Sequence, residues 1–288
     1  MLFQVSVHDS PDQAKKIQSY LEIPRSQAHA YAQQSIQIQN QKGYSYNQEW
    51  IDLSLNMAQA KSNKKSIAFD TVLPLPTPPL NHILPHIKIH NETTLIAAEN
   101  AHQQGHKTLV LNFANGIKPG GGFLTGSRAQ EESLCFVSTL FDTLVGDQMY
   151  QIHTHTPLAA SSSHCILSTA SVFMNQNYQF VKPWDMHVVT CAAPVNRPHR
   201  CPAEIAHQLL HARIHRIYQI AGAYGYTHLI LGAWGCGAFG NDPYTVAKSF
   251  KTHLLQSFKG YFKEITFAIS DWSPNRRFLN PFVHVFQS

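Results

Sequence analysis

The sequence predicts an α/β protein built around a layered sheet, and three observations lead to this fold class. From residue 87 onward, segments with strand character alternate with segments of helical periodicity. The segments 188–192 and 228–231 are largely apolar, as strands buried on both faces are. A glycine-rich loop follows each of two strands, the position at which open α/β sheets bind ligands.

The N-terminal part of the chain is expected to be mainly helical. Ser10 followed by Pro11 is a favourable helix start, since a hydroxyl can cap the first turn and proline needs no N–H there. Prolines crowd residues 72–79, which excludes a helix interior or a central strand. We therefore expect residues 1–85 to form a mainly helical region ending in a proline-rich linker, and residues 86–288 to form the ligand-binding domain.

Beyond the linker, the pattern of apolar residues defines the order of the remaining elements. Strands are expected at residues 87–90, 108–113, 188–192, 228–231 and 265–269, and helices at residues 94–102, 131–145, 202–223 and 243–258. Apolar residues recur at helical spacing throughout 131–145, which predicts one continuous helix there.

Composition and charge exclude several classes of protein. The 22 basic and 17 acidic residues give a net charge of +5, without the Lys/Arg clusters of a nucleic-acid clamp, so nucleic acid is not favoured as a partner. No apolar run approaches the length of about 18 residues that spans a membrane. The five cysteines are odd in number and widely spaced, which predicts a reducing, cytoplasmic compartment and leaves open export by a specialised secretion system.

The first glycine loop joins the end of a predicted strand to the start of a helix that carries two acids. Consecutive glycines allow a ligand to approach the backbone closely, although such a loop often only turns a corner. The adjacent carboxylates at the helix start favour a ligand site. The candidate residues of this loop are Asn115, Gly120, Gly121, Gly122, Gln130, Glu131 and Glu132.

The second glycine loop, residues 232–242, also leaves a buried strand and enters a helix. Backbone N–H groups on such a loop can hold a phosphate group. The loop lacks the Gly-Lys-Ser/Thr of nucleoside triphosphatases, and no G-x-G-x-x-G opens the first strand–helix turn, which argues against a dinucleotide-binding dehydrogenase. The candidate residues are Gly235, Cys236, Gly237, Ala238 and Phe239.

Together the two loops resemble a known family. Three glycines, seven further residues and Gln130-Glu131-Glu132 resemble the signature of the poly(ADP-ribose) glycohydrolases, and residues 234–240 are similar to that family's pyrophosphate loop. Weaker similarity at 168–173, 191–194 and 267–271 indicates the bacterial, microbial-type branch. The resemblance implies a macro-domain-like catalytic core, with three α/β/α layers and a mixed sheet.

The resemblance also implies a reaction and a role for each motif residue. The substrate would be ADP-ribose linked through its distal ribose, as poly(ADP-ribose) or on a protein, and neither a metal nor a cofactor would take part. Glu132 would be the acid/base that serves both the leaving oxygen and the attacking water. The other implied roles are Glu131, Gln130 and Asn115 at the ribose, the backbone of residues 235–239 at the diphosphate, Glu92 at the adenine amino group, and Ile269 and Trp272 at the adenine ring.

Two alternatives remain open at this stage. The sequence Ser127-Arg128 departs from the family pattern and could favour another leaving group, so an enzyme that removes single ADP-ribose units, for example from arginine, is one rival. The other rival is a non-catalytic ADP-ribose-binding module, which needs the glycine loops but not the paired acids. All of these functions require the two glycine loops to meet in space.

The 18 histidines raise the question of a metal site. His207, His211 and His215 share one face of a predicted helix, but they alternate with Arg213 and Arg216. That alternation is typical of a solvated face, and no metal site is predicted. Cys135 is expected to pack in the core, and Cys236 to be a small loop residue rather than a nucleophile.

Overall fold

The computed structural model describes residues 2–80, 83–156, 162–197, 199 and 201–288. The strands are β1 (Val5–His8), β2 (Gly43–Tyr46), β3 (Glu49–Asp52), β4 (Lys65–Ile67), β5 (His86–His90), β6 (Thr108–Phe113), β7 (Cys165–Met174), β8 (Phe180–Cys191), β9 (His228–Leu231) and β10 (Glu264–Ala268). The helices are α1 (Pro11–Leu21), α2 (Arg25–Gln41), α3 (Ser54–Asn63), α4 (Thr94–Gln103), α5 (Gln130–Val137), α6 (Leu140–Leu144), α7 (Gln148–Thr154), α8 (Ala203–Ala223), α9 (Pro243–Gln256) and α10 (Leu279–Gln287), with a short 3₁₀ turn at Phe123–Thr125.

A mixed eight-stranded sheet forms the middle layer, in the order β1-β5-β10-β9-β6-β8-β7-β4. The strands from β1 to β8 in this order run parallel, whereas β7 pairs antiparallel with β8 and β4 antiparallel with β7. The strands β2 and β3 form a separate antiparallel hairpin. The predicted strands and helices after residue 86 are present, and their ends differ by a few residues except at β8, which begins eight residues before the predicted strand 188–192, and in the segment 131–145 described below. The elements β7, α7 and α10 were not predicted.

Helices cover both faces of the sheet and bury two apolar cores. Strand residues alternate between these cores: Leu109 and Leu111 face the helices α8, α9 and α10, while Val110 faces the helices α2 to α7 on the other side. Because side chains alternate along a strand, apolar residues at every position bury both faces at once. The three-layer α/β/α architecture expected from the sequence is therefore confirmed.

The first 85 residues contribute strands as well as helices. Ser10 caps α1 by accepting a hydrogen bond from the Gln13 N–H, as the helix start predicts. The strands β1 and β4, however, are the two edge strands of the large sheet. The described N-terminal residues therefore complete the sheet that holds the glycine loops, and a domain boundary at residue 85 stays a prediction.

The expectation of one helix over residues 131–145 is wrong. The chain breaks at Ser138, which has extended backbone angles and forms a β-bridge with Val172. The Thr139 N–H donates to the Ser171 carbonyl, and the Ser171 N–H donates to the Thr139 hydroxyl oxygen. Periodicity does not reveal the break, because both short helices keep their apolar residues on the core side.

The expectation of a solvated face on α8 is confirmed for His211, which is exposed, but it is wrong for the two arginines. Arg213 and Arg216 are only 1% and 6% exposed. His211 is held by Ser249, with Nδ1 2.9 Å from the hydroxyl oxygen, and its ring contacts that of His253 with the centroids 3.9 Å apart and the planes tilted by 31°. Within the described residues, no group of three or more His, Cys, Asp or Glu side chains is arranged to hold a metal ion. No described helix combines the length and the apolar character needed to cross a membrane.

Candidate active site

The two glycine loops meet at one edge of the sheet. Strands β6 and β9 are parallel neighbours, with Leu109 opposite Leu229. Loops that follow adjacent parallel strands emerge side by side at the carboxyl edge of the sheet. They enclose a cavity of about 300 Å³, whose lining includes Asn115, Gln130, Glu131, Glu132, Gly235, Gly237, Ala238 and Phe239. The required convergence is therefore present.

Glu132 lies at the wall of this cavity with one oxygen held and the other available. The side chain is 7% exposed, and its Oε1 accepts a hydrogen bond from the Gly122 N–H at 2.8 Å. No group in the described part of the chain donates to Oε2. A carboxyl group oriented by one oxygen and open at the other is suited to exchange a proton with a bound substrate.

Gly121 allows the glycine loop to approach this carboxyl group. Its φ of +59° is unfavourable for residues with a side chain. A Cβ at this position would lie 2.5 Å from Glu132 Oε1 and 3.2 Å from Glu131 Oε2. The glycine run thus has two local causes, the left-handed backbone and the close packing against both acids.

Glu131 is more deeply buried, at 2% exposure, and holds the start of the glycine loop. Its Oε2 accepts from the Asn115 N–H at 2.7 Å, and its Oε1 accepts from the Asn112 side-chain amide at 3.2 Å. The pKa of Glu131 is raised from 4.5 to about 8, mainly by burial and in smaller part by the neighbouring Glu132, against the lowering effect of these donors. Near pH 7, a carboxyl group with this pKa is mainly protonated.

Gln130 and Asn115 line the cavity, but much of their polar capacity is used within the protein. Gln130 accepts from the Phe113 N–H through Oε1 and donates to the Leu111 carbonyl through Nε2, each at 2.8 Å. Asn115 Oδ1 accepts from the N–H groups of Ile117 and Lys118 at 2.9 and 3.0 Å. Both side chains therefore hold the end of β6 and the turn that follows it.

The second loop presents free backbone donors to the same cavity. Among the described residues, no acceptor takes a hydrogen bond from the N–H groups of Gly235, Gly237, Ala238 or Phe239. The Cys236 N–H differs, since it donates to the Ala233 carbonyl at 3.1 Å. Four free N–H groups on one loop form a site for an anion.

The carbonyl groups of this loop are held from outside the cavity. Asn196 N donates to the Phe239 carbonyl at 2.8 Å, and the Arg197 guanidinium donates to the Ala238 carbonyl at 2.7 Å. The buried Asn241 donates to the Pro194 carbonyl at 2.8 Å. Sequence reasoning did not find these contacts, because each one joins segments that only the tertiary fold brings together.

An adjoining cavity of about 310 Å³ shares Phe113, Gln130 and Gly237 with the first. Ile269 and Trp272 line it, as expected for residues near an adenine ring, together with Gln176 and Tyr178, which the motifs did not indicate. Arg128 also lines this second cavity and donates to the Ile23 carbonyl. Arg128 therefore lines the adjoining cavity and not the cavity that Glu132 lines.

Glu92 and Cys236 do not line the cavity that contains Glu132. Glu92 is 7% exposed, has Oε1 3.3 Å from His90 Nδ1, and lines neither cavity. Cys236 lines the second cavity, and burial raises the pKa of its thiol well above the usual value, which opposes a nucleophilic role. Cys135 is fully buried in the core, as expected.

Comparison with known proteins identifies the family. Residues 32–176, half of the chain, match the family model described as microbial-type PARG, catalytic domain. No match was found among curated protein sequences.

Solved structures give the same result over most of the chain. The poly(ADP-ribose) glycohydrolase from Thermomonospora curvata is 29% identical, with a TM-score of 0.81 over 91% of this chain and 100% of that one. The same enzyme bound to the inhibitor ADP-HPD is 30% identical, with a TM-score of 0.82 over 90% of this chain and 99% of that one. The enzyme from Deinococcus radiodurans in complex with ADP-ribose is 29% identical, with a TM-score of 0.69 over 80% of this chain and 97% of that one. This chain belongs to the microbial-type poly(ADP-ribose) glycohydrolase family.

Proposed function

We propose that this chain hydrolyses the glycosidic bond between ADP-ribose units of poly(ADP-ribose), with Glu132 as the acid/base. One observation supports the proposal most strongly: Glu132 and the four free N–H groups of residues 235–239 line the same cavity. A diphosphate held by these N–H groups would leave its attached ribose within reach of Glu132 Oε2. The adjoining cavity, lined by Ile269 and Trp272, would take the adenosine end.

The reaction follows from this arrangement with one acid/base residue. Glu132 donates its proton to the leaving oxygen while the bond from that oxygen to the anomeric carbon breaks. The ribose acquires oxocarbenium character, and the nearby diphosphate stabilises the positive charge. Water then attacks the anomeric carbon and returns a proton to Glu132. The products are a hydroxyl on the leaving sugar and free ADP-ribose.

The neighbouring residues prepare the site rather than transfer protons. Glu131 has no oxygen without a hydrogen-bond donor, and it binds the backbone of Asn115. Because the Glu131 carboxyl group is mainly neutral near pH 7, it adds no negative charge to the site that holds the diphosphate. Gln130 holds the end of β6 in a similar way.

Glu132→Gln tests the assignment. We expect hydrolysis of poly(ADP-ribose) to be lost and ADP-ribose binding to remain, because glutamine keeps an oxygen for the Gly122 N–H but cannot donate an acidic proton. The matched control is Glu204→Gln, since Glu204 also lies in the first turn of a helix but is exposed. Turnover by Glu132→Gln at the rate of the control would contradict the role of Glu132.

A substrate panel tests the activity itself. Poly(ADP-ribose), arginine-linked mono-ADP-ribosylated protein and free ADP-ribose are incubated with the wild-type chain, and the products are separated. We expect release of ADP-ribose from the polymer. Arg128, the departure that could favour another leaving group, lines the adjoining cavity and not the cavity that Glu132 lines. Binding of ADP-ribose without cleavage of any conjugate would instead indicate a non-catalytic binding module.

We also propose the cellular compartment of the reaction and the molecules that carry the polymer. The five cysteines are all unpaired, buried thiols, which supports a reducing, cytoplasmic compartment. ADP-ribosylated proteins are then the expected carriers of the polymer.

A further inference from the structure

Arg213 on α8 is a buried cation with incomplete hydrogen bonding. Its side chain is 1% exposed, and Nη1 donates to the Ala192 carbonyl at 2.7 Å. Among the described residues, the atoms Nε and Nη2 find no hydrogen-bond partner. None of the ion pairs formed by the described residues includes Arg213, and the undescribed residues 1, 81, 82, 157–161, 198 and 200 contain neither Asp nor Glu.

An arginine in this position is energetically unfavourable unless an anion compensates it. The guanidinium keeps its charge in proteins, and a buried charge without a partner is strongly destabilising. The ionisable groups that surround it are the thiols of Cys165, Cys191 and Cys201 and the imidazole of His153. None of these groups is a carboxylate. A diphosphate bound at the second glycine loop would supply such an anion.

The contact of Arg213 lies directly behind that loop. Ala192 follows the end of β8, and the next residue, Ala193, lines the cavity that contains Glu132. Ala193 Cβ would be only 2.7 Å from a Cβ placed on Gly235, so this segment packs against the loop. One stretch of backbone therefore separates the guanidinium from the proposed diphosphate position.

The peptide bond between Ala192 and Ala193 links the two sides of this segment. The described peptide bonds are all trans, and a trans peptide directs its C=O and N–H in opposite directions. Since Arg213 holds the Ala192 carbonyl, the Ala193 N–H points away from the guanidinium. This N–H donates to no acceptor in the described residues, although Ala193 is only 2% exposed.

We propose that Arg213 is a positioning residue for the diphosphate of ADP-ribose. Its guanidinium orients the peptide so that the Ala193 N–H becomes a fifth backbone donor to the diphosphate, and its buried charge attracts the same anion. The inference rests on the proposed function, and it extends the diphosphate site beyond the glycine loop to the end of β8.

Two Arg213 variants and two ligands separate this role from general stability. ADP-ribose carries the diphosphate, whereas adenosine fills only the adenosine cavity, and the affinity for each is measured by calorimetry. We expect Arg213→Gln to weaken ADP-ribose binding by about tenfold or more, the loss typical of a hydrogen bond to a charged group, and to leave adenosine binding unchanged. Arg213→Lys should lose less, because it keeps the charge. With polymer, KM should rise more than kcat falls.

Arg216→Gln is the matched control on the same helix. Arg216 is also buried, but it donates to the Ala68 carbonyl and to Gln219, away from the cavity. We expect this variant to bind ADP-ribose like the wild type. Equal loss of adenosine and ADP-ribose affinity in Arg213→Gln, or no loss of either, would overturn the proposal.

A measurement on the wild-type chain keeps the proposal testable if the variants do not fold. In NMR spectra, the Ala193 amide and the Arg213 Nε–H signals should shift on addition of ADP-ribose and stay in place with adenosine. Unchanged signals in a chain that binds ADP-ribose would refute the role of Arg213 alone. A wild-type chain that does not bind ADP-ribose would instead refute the proposed function.

Discussion

Replacing Gly121 with alanine perturbs the carboxyl group of Glu132, the proposed acid/base, through a single methyl group. The added Cβ would lie 2.5 Å from Glu132 Oε1, whereas ordinary contacts begin at 3.4 Å. The carboxyl group or the loop must therefore move by about 1 Å, and the hydrogen bond from the Gly122 N–H must lengthen or break.

Two effects of different size follow from this geometry. The left-handed backbone, with φ +59°, should cost the alanine variant about 1–2 kcal/mol of folding free energy. In a chain of this size, a loss of about 1 kcal/mol lowers Tm by about 2–4 °C. A displacement of about 1 Å at a catalytic group can reduce the rate about 100-fold. We therefore expect a small decrease in Tm and a large decrease in kcat.

Gly146→Ala separates the two effects. Gly146 also has a positive φ, +75°, but a Cβ there would meet no atom within 4 Å. Thermal unfolding and single-turnover release of ADP-ribose from polymer are measured for both variants. The two should lose similar stability, and only Gly121→Ala should lose activity. Wild-type turnover by Gly121→Ala, or an equal loss of activity in Gly146→Ala, would refute the reasoning.

Three further substitutions test the surroundings of Glu132. In Glu131→Gln, the dependence of folding stability on pH should weaken. A carboxyl group whose pKa rises from 4.5 to about 8 on folding contributes fully to stability below pH 4.5, and this contribution is lost as the pH rises towards 8. Denaturant titrations of the variant and the wild type at pH 5 and pH 8 would show the difference. Gly237→Ala should leave Tm unchanged, since a Cβ there meets no atom within 4 Å, but should weaken ADP-ribose binding in calorimetry because the methyl group enters the cavity. Gln130→Ala should lower the free energy of unfolding by about 1–3 kcal/mol, measured in urea, because the Phe113 N–H loses its acceptor.

Each of these predictions has a result that contradicts it. A pH dependence in Glu131→Gln equal to that of the wild type would place the titration elsewhere. A lower Tm for Gly237→Ala would show that the added methyl group clashes with other atoms, contrary to the open space around Gly237. Gln208→Ala, at an exposed position of α8, is the control for Gln130→Ala. Equal stability of these two variants would mean that the contacts of Gln130 contribute little.

Local sequence patterns were enough to predict most strands of the parallel part of the sheet, the helices between them and the residues of both glycine loops. Apolar runs such as 228–231 identify strands that are buried on both faces, and Ser10 identifies the start of α1. Local sequence patterns were not enough where pairing with a distant segment determines the local structure. Ser138 ends a helix because it pairs with Val172 of β7. The segments β1 and β4 are strands because they pair with β5 and β7, at the two edges of the sheet.

The same division applies to the active site. The sequence by itself determined the chemistry: two adjacent acids at a helix start, a run of glycines, and a second glycine loop that enters a helix. Only the tertiary structure decided which acid keeps an oxygen without a hydrogen-bond donor, which backbone groups remain free, and that Arg213 is buried behind the loop rather than exposed on α8. The physical reason is that residue types and spacing are local properties, whereas burial and hydrogen-bond satisfaction depend on segments that are distant in the chain.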